Sequence, residues 1–193
     1  MKTAPIALLV FLSLNLVCPQ SYGPQTRQQV SSPSIETPAD PEISSNEKIV
    51  DELWIQFRQI RDYIDTIKTQ DRFTELIAAL HEAAQIALQL NRQDIAAWQL
   101  NNIGYFSILE FKKRTDFDRR LKELDESRNK KNRQHLSREV KSIFFEHIEL
   151  LEKASVYLEQ AYDIDGELGK SDRTEKIYNN MKFIDWVINF THN

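Results

Sequence analysis

Residues 78–94 read AALHEAAQIALQLNRQD, and residues 156–172 read VYLEQAYDIDGELGKSD. Slid by 78 residues, Leu80 falls on Leu158, Ala83 on Ala161, Ile86 on Ile164, Leu90 on Leu168 and Asp94 on Asp172. The frame holds into the following segment, where Asn101 and Asn102 fall on Asn179 and Asn180. A helix end, a turn and the start of a second helix all keep one register, which two unrelated amphipathic helices do not give by chance. A period of 78 is too long for a single helical hairpin of about 34 residues. It fits if the second copy carries an insertion, and the charged stretch at about 113–137 supplies one.

Outward from this repeat, everything reads as helix. All six prolines (Pro5, Pro19, Pro24, Pro33, Pro38 and Pro41) lie in the first 41 residues, and beyond them the only glycines are Gly104, Gly166 and Gly169. Proline breaks helix interiors and glycine weakens them, so the span that lacks one and is poor in the other predicts an all-α domain. Five major helices are expected, paired as antiparallel hairpins. The first opens at a capping box, Ser44 with Glu47, and carries Leu53, Trp54, Phe57, Ile60, Ile64 and Ile67 on one stripe. The second runs from about Phe73 to Leu90, and the third starts near Asp94 and carries Ile95, Trp98, Ile103, Phe106 and Leu109. A fourth runs unbroken from about Ser137 to Leu168, with Gly169 as its stop, and a fifth follows from Asp172.

The quoted segments, with LNNIGYF at 100–106, resemble the tetratricopeptide repeat (TPR) family, in its variety with a longer link between repeats. The resemblance covers roughly residues 57–190. Ala83, Ala154 and Ala161 match the small residues with which the second helix of such a repeat meets the first, and Leu100, Ile103 and Gly104 match the large-apolar and glycine positions of the first helix. The C-terminal copy departs, with Lys182 in place of Gly104, as suits a terminal helix with nothing packed beyond it. The resemblance implies about two hairpins plus a C-terminal capping helix, within a domain spanning 47–193. It also implies a concave face that holds a protein or peptide partner. Residues on that stripe are Arg58, Arg61, Asp62 and Asp65 of the first helix, Trp98, Asn101, Asn102 and Tyr105 of the third, and Lys176, Asn179, Asn180 and Phe183 of the fifth. An asparagine amide both donates and accepts, so it can pair with a peptide bond of any sequence. The bland alternative is that these asparagines bridge neighbouring helices, and that Trp98 is core.

The chain of 193 residues has a net charge of −4, which carries no global footprint of nucleic-acid binding. Its one strong local imbalance is at 112–141, with twelve Lys/Arg against six Asp/Glu. A solvated helical extension explains it, and so does a basic arm that touches an anionic polymer or lipid.

The first 23 residues read as a secretory signal: Lys2, then an apolar run from Ile6 to Val17 too short to span a bilayer. Cys18, the only cysteine, ends that run like a lipobox cysteine, although NLVC departs from the usual leucine and small residues. It is therefore either a lipidation site or discarded with the signal. Residues 24–46 are rich in Pro, Ser, Thr and Gln and poor in large apolar residues, which predicts a disordered tether. Export is expected, to a periplasmic, outer-membrane-anchored or secreted location, with a bacterial envelope favoured. A membrane is reached only through the lipid on Cys18.

Chemistry is hard to find. His81, His135, His147 and His192 stand in no Glu-x-x-His or His-Glu-x-x-His spacing, and glycine is too scarce for a phosphate loop or nucleophile elbow. No catalytic residue, metal site or cofactor is read from the chain. The function expected is a non-catalytic adaptor holding a protein partner in the cell envelope. The alternative is a surface-attachment protein working through 112–141, and an enzyme comes third.

Overall fold

The computed structural model describes residues 41–193, with side chains from residue 46 onward. The signal expected at 1–23, Cys18 and the tether up to residue 40 lie outside the described residues. Helix makes up 89% of what is described, with no strand among the described residues. Seven helices follow one another: α1 (Pro41–Ile67), α2 (Phe73–Gln89), α3 (Gln93–Thr115), α4 (Phe117–Glu126), α5 (Lys130–Glu146), α6 (Ile148–Glu167) and α7 (Ser171–His192). They pack as α1 on α2, α2 on α3, α3 on α6 and α6 on α7, an all-α arrangement of helical hairpins compatible with a repeat.

The 78-residue frame is visible in the backbone. The turn after α2 and the turn after α6 are the same Schellman-type stop. Asn91 and Gly169 take the left-handed conformation, at φ 53° and 66°. Arg92 N–H donates to the Ala87 carbonyl at 2.8 Å, and Lys170 N–H to that of Asp165 at 2.9 Å. Asn91 N–H donates to Leu88 at 2.9 Å, and Gly169 N–H to Gly166 at 3.1 Å. Glycine and asparagine pay least for a left-handed backbone, which is why those two residues occupy the matched position.

α3 is the centre of the molecule, with α2 on one side of its buried arc and α6 on the other. The α3–α6 approach is close because the residues at the crossing are small. Ala154 and Ala161 are fully buried, and a Cβ added to Gly104 would lie 2.6 Å from Leu158 Cδ2. Leu158 is itself fully buried and has no free space to withdraw into.

Three expectations need correction. α1 starts at Pro41, so Ser44 lies inside the helix rather than capping it. Proline suits a first turn, where its missing N–H has no helical partner to lose. The expected helix from Ser137 to Leu168 is broken at His147 (φ −118°, ψ 8°) into α5 and α6, and with α4 as a further helix there are seven among the described residues where five were expected. Neither proline nor glycine stands there. The break lets α5 pack on α7 through Val140 and Phe144, while α6 packs on α3. Finally, the charged stretch 113–137 is helical, as a helical extension would be, apart from Asp116 and residues 127–129. It is not wholly solvated, since Phe117 and Leu124 are buried. Asp116, left-handed at φ 50°, joins α3 directly to α4. Phe117, the first residue of α4, then inserts among the rings of three other helices. It stacks on Phe144 at 5.1 Å and meets Phe183 and Phe111 edge-on at 5.3 and 6.1 Å. Trp186 lies edge-on to it at 6.0 Å.

Candidate functional site

With its back on α2 and α6, α3 turns one stripe outward. Ile95, Trp98, Asn102, Tyr105 and Leu109 follow at spacings of three and four, so they share one helix face. All five are half-buried and none is charged. Asn102 and the Tyr105 hydroxyl make no side-chain hydrogen bond to another described residue. Tyr105 packs edge-on against Phe106 at 5.3 Å, and burial pushes its phenol above the ordinary value. An uncharged strip with an unengaged amide at its middle and rings on either side can accept apolar side chains and pair with a backbone.

α7 borders this face. Asn180 Nδ2 donates to Asn101 Oδ1 at 3.5 Å, and both side chains are buried. Two of the four paired asparagines therefore bridge α3 and α7, while Asn102 is half-buried and Asn179 is exposed. At the upper end Arg173 ties three helices together. Its Nη2 donates to the Asp94 carbonyl at 2.9 Å, and its guanidinium lies 5.3 Å over the Trp98 ring. Its Nε stands 2.9 Å from Asp165 Oδ2, an ion-pair distance without the alignment of a hydrogen bond. Asp165 is fully buried, and that burial raises its carboxyl above the ordinary value against the pull of Arg173. At the start of α3, Arg92 holds Asp94 with two bonds of 2.9 Å and lies 5.7 Å over the Trp54 ring of α1. The paired guanidinium depresses the Asp94 carboxyl. At the lower end Lys112 Nζ sits over Phe183 at 4.9 Å and over Phe117 at 5.3 Å, closing the strip.

The remaining residues expected on the stripe fall as follows. Arg58, Arg61, Asp62 and Asp65 are exposed on α1, with Arg61–Asp62 at 3.6 Å and Lys68–Asp65 at 2.8 Å. α1 packs on α2 and scarcely touches α3, so these four are not drawn into contact with Asn102 and Tyr105. Lys176 is exposed on α7, and Phe183 is half-buried beneath Phe117 and Lys112. Ile95 and Leu109, expected on the third helix but not named for its stripe, fall on the outward strip. The three-four spacing through Asn102 was the signal that could have placed them there. Two clefts lie away from it, one between α1 and α2 beside Ile60 and Tyr63, the other at Asp71, Glu110 and Arg114.

Among the described residues no cluster of His, Cys, Asp and Glu is arranged to hold a metal, and no helix is long and apolar enough to cross a membrane. The fold and this strip define an all-α protein of packed helical hairpins with an uncharged outer face on its central helix. No known protein family matches the chain, nor does any curated protein or solved structure.

Proposed function

We propose that this protein is a non-catalytic, TPR-like adaptor of the cell envelope that holds an extended segment of a partner protein on the outer face of α3. The observation that carries the reading is the strip Ile95, Trp98, Asn102, Tyr105 and Leu109, half-buried and uncharged. The TPR resemblance is supported by the matched turns at Asn91 and Gly169 and by the seating of Gly104 against Leu158. Export rests on the N-terminal signal pattern, with Cys18 as the anchoring residue where lipid is attached.

The experiment places a photo-crosslinking residue at Asn102 and, as a control, at Gln160 on the exposed side of α6. Crosslinking in an envelope fraction from position 102 and not from 160 is expected, with the partner's peptide identified by mass spectrometry. Asn102→Ala with Tyr105→Ala is then expected to weaken capture of that partner about thirtyfold, a loss of about 2 kcal/mol, with an unchanged melting temperature. Equal crosslinking from both positions, or capture indifferent to the double substitution, removes the reading.

A further inference from the structure

The structure divides the basic stretch 112–141 into two halves with different fates. Every cation of the first half is engaged. Lys113 meets Asp71, Arg114 meets Glu110, Arg119 meets both Asp116 and Glu123, Arg120 meets Glu139 and Lys122 meets Glu126. Lys112 lies over the Phe117 and Phe183 rings. In the second half, Arg128, Lys130, Lys131, Arg133 and Arg138 are all exposed and have no acidic partner among the described residues. Of the nearest acids in sequence, Glu126 is held by Lys122 and Glu139 by Arg120.

All of these free cations but Arg128 sit on α5, the helix that departs from the repeat. On α5, Val140 and Phe144 face inward. Lys131, Arg138 and Phe145 recur at intervals of seven on the opposite side, a row of about 21 Å. Phe145, at the far end, is 57% exposed and meets the His192 ring at 6.1 Å. On the adjoining α7, Trp186 is 37% exposed and stacks on Phe190 at 5.5 Å, with Lys141 over the Phe190 ring at 5.4 Å. Exposed rings therefore end a row of unpaired cations.

We propose that this α5 face docks on an anionic lipid bilayer. Neither cleft, the one beside Ile60 and Tyr63 nor the one at Asp71 and Glu110, is lined by a residue of the row. A charged peptide needs a seat that fixes its carboxylates against particular donors, whereas a bilayer presents a plane of mobile phosphates that any row of cations can reach. Phe145 and Trp186 are the residue types that settle at headgroup depth. The rest of the chain is net negative and is repelled from the same surface, so the protein docks α5 first. This goes beyond the adaptor reading and uses none of the residues on the α3 strip.

The test is co-sedimentation of the full chain with vesicles of phosphatidylcholine alone or with about 30% phosphatidylglycerol, at physiological salt. Each cation near such a surface contributes roughly fivefold to partitioning, from about 1 kcal/mol per residue. Lys130→Gln, Lys131→Gln and Arg138→Gln together are expected to lower binding to anionic vesicles about a hundredfold. The matched control, Lys113→Gln, Arg119→Gln and Lys122→Gln, makes the same change in net charge and is expected to stay within about threefold, because those cations lie on α3 and α4, off the α5 face, where salt screens them from the surface. Circular dichroism checks that both variants remain folded. Equal loss in the two triples, or equal binding to neutral and anionic vesicles, overturns the proposal. So does failure to bind vesicles together with α5-dependent capture of soluble polyglutamate, which would assign the row to an acidic protein instead.

Discussion

The hairpins α2–α3 and α6–α7 share a turn, a register and a pattern of small residues, yet their outer faces differ. Shifted by 78 residues, Ile95, Trp98, Asn102, Tyr105 and Leu109 of α3 become Arg173, Lys176, Asn180, Phe183 and Val187 of α7. The α3 set is half-buried throughout. In the α7 set Val187 and Asn180 are buried and Phe183 lies under Phe117. α5 packs chiefly on α7 and also meets α3 through Phe144, whose ring lies 5.4 Å from Phe111. The α3 strip stays accessible, whereas in its α7 counterpart Asn180 is taken up by Asn101 of α3 and Phe183 by Phe117 of the insertion. A repeat in sequence therefore does not imply a repeat of function, because what covers each face is decided outside the repeat.

The most damaging way to break this difference is to remove the residue that creates it. Phe117→Ala deletes a buried ring in contact with four others, and is expected to cost about 3–5 kcal/mol by urea denaturation. Trp186 loses that ring contact, so its fluorescence in the folded state is expected to move toward the solvated value. A small cost with unchanged fluorescence would mean that α4 does not cover α7.

The next effect separates the two copies at the helix crossing. Gly104→Ala is expected to cost about 1–3 kcal/mol, since the new methyl would lie 2.6 Å from Leu158 Cδ2. Its counterpart Lys182→Ala, on the exposed side of α7, is expected to change stability by under about 0.5 kcal/mol. Equal costs would mean that the two hairpins meet their neighbours alike.

The smallest contrast concerns the asparagines. Asn180→Ala strands Asn101 in a buried site and is expected to cost about 1–2 kcal/mol in a melt. Asn102→Ala, with no hydrogen bond to lose, is expected to cost under about 0.5 kcal/mol. Matching costs would mean that Asn102 also bridges helices, and would take the centre out of the proposed strip.

Much of the fold was legible because it depends on local rules. The stop at Asn91 and Gly169, the small residues at Ala154 and Ala161 and the glycine at 104 each encode a backbone conformation or a close approach that few residue types allow. The break at His147 was not legible, since no residue there breaks helices by its own nature. It goes with the seating of Phe144 among Phe117, Phe111 and Phe190, rings that belong to three other helices. The site was half legible for the same reason. Spacing put Asn102 and Tyr105 on one face, but could not tell that Asn101 and Asn180 would turn toward each other, or that Phe183 would be covered. Those outcomes belong to pairs of helices, and helical periodicity describes one helix at a time.

The direct join at Asp116 has a consequence for how the chain finds its fold. Each hairpin forms between neighbours in sequence, but α3 can meet α6 only after residues 116–147 have been drawn into a closed loop. Closing a loop of that length instead of a link of about four residues costs roughly 2 kcal/mol of chain entropy. Part of that entropy is recovered before the interface forms if α4 and α5 are already helical, because a stiff excursion wanders less than a random one. The slowest step expected is then the docking of one finished hairpin on the other, with Phe117 arriving at α7 in the same event.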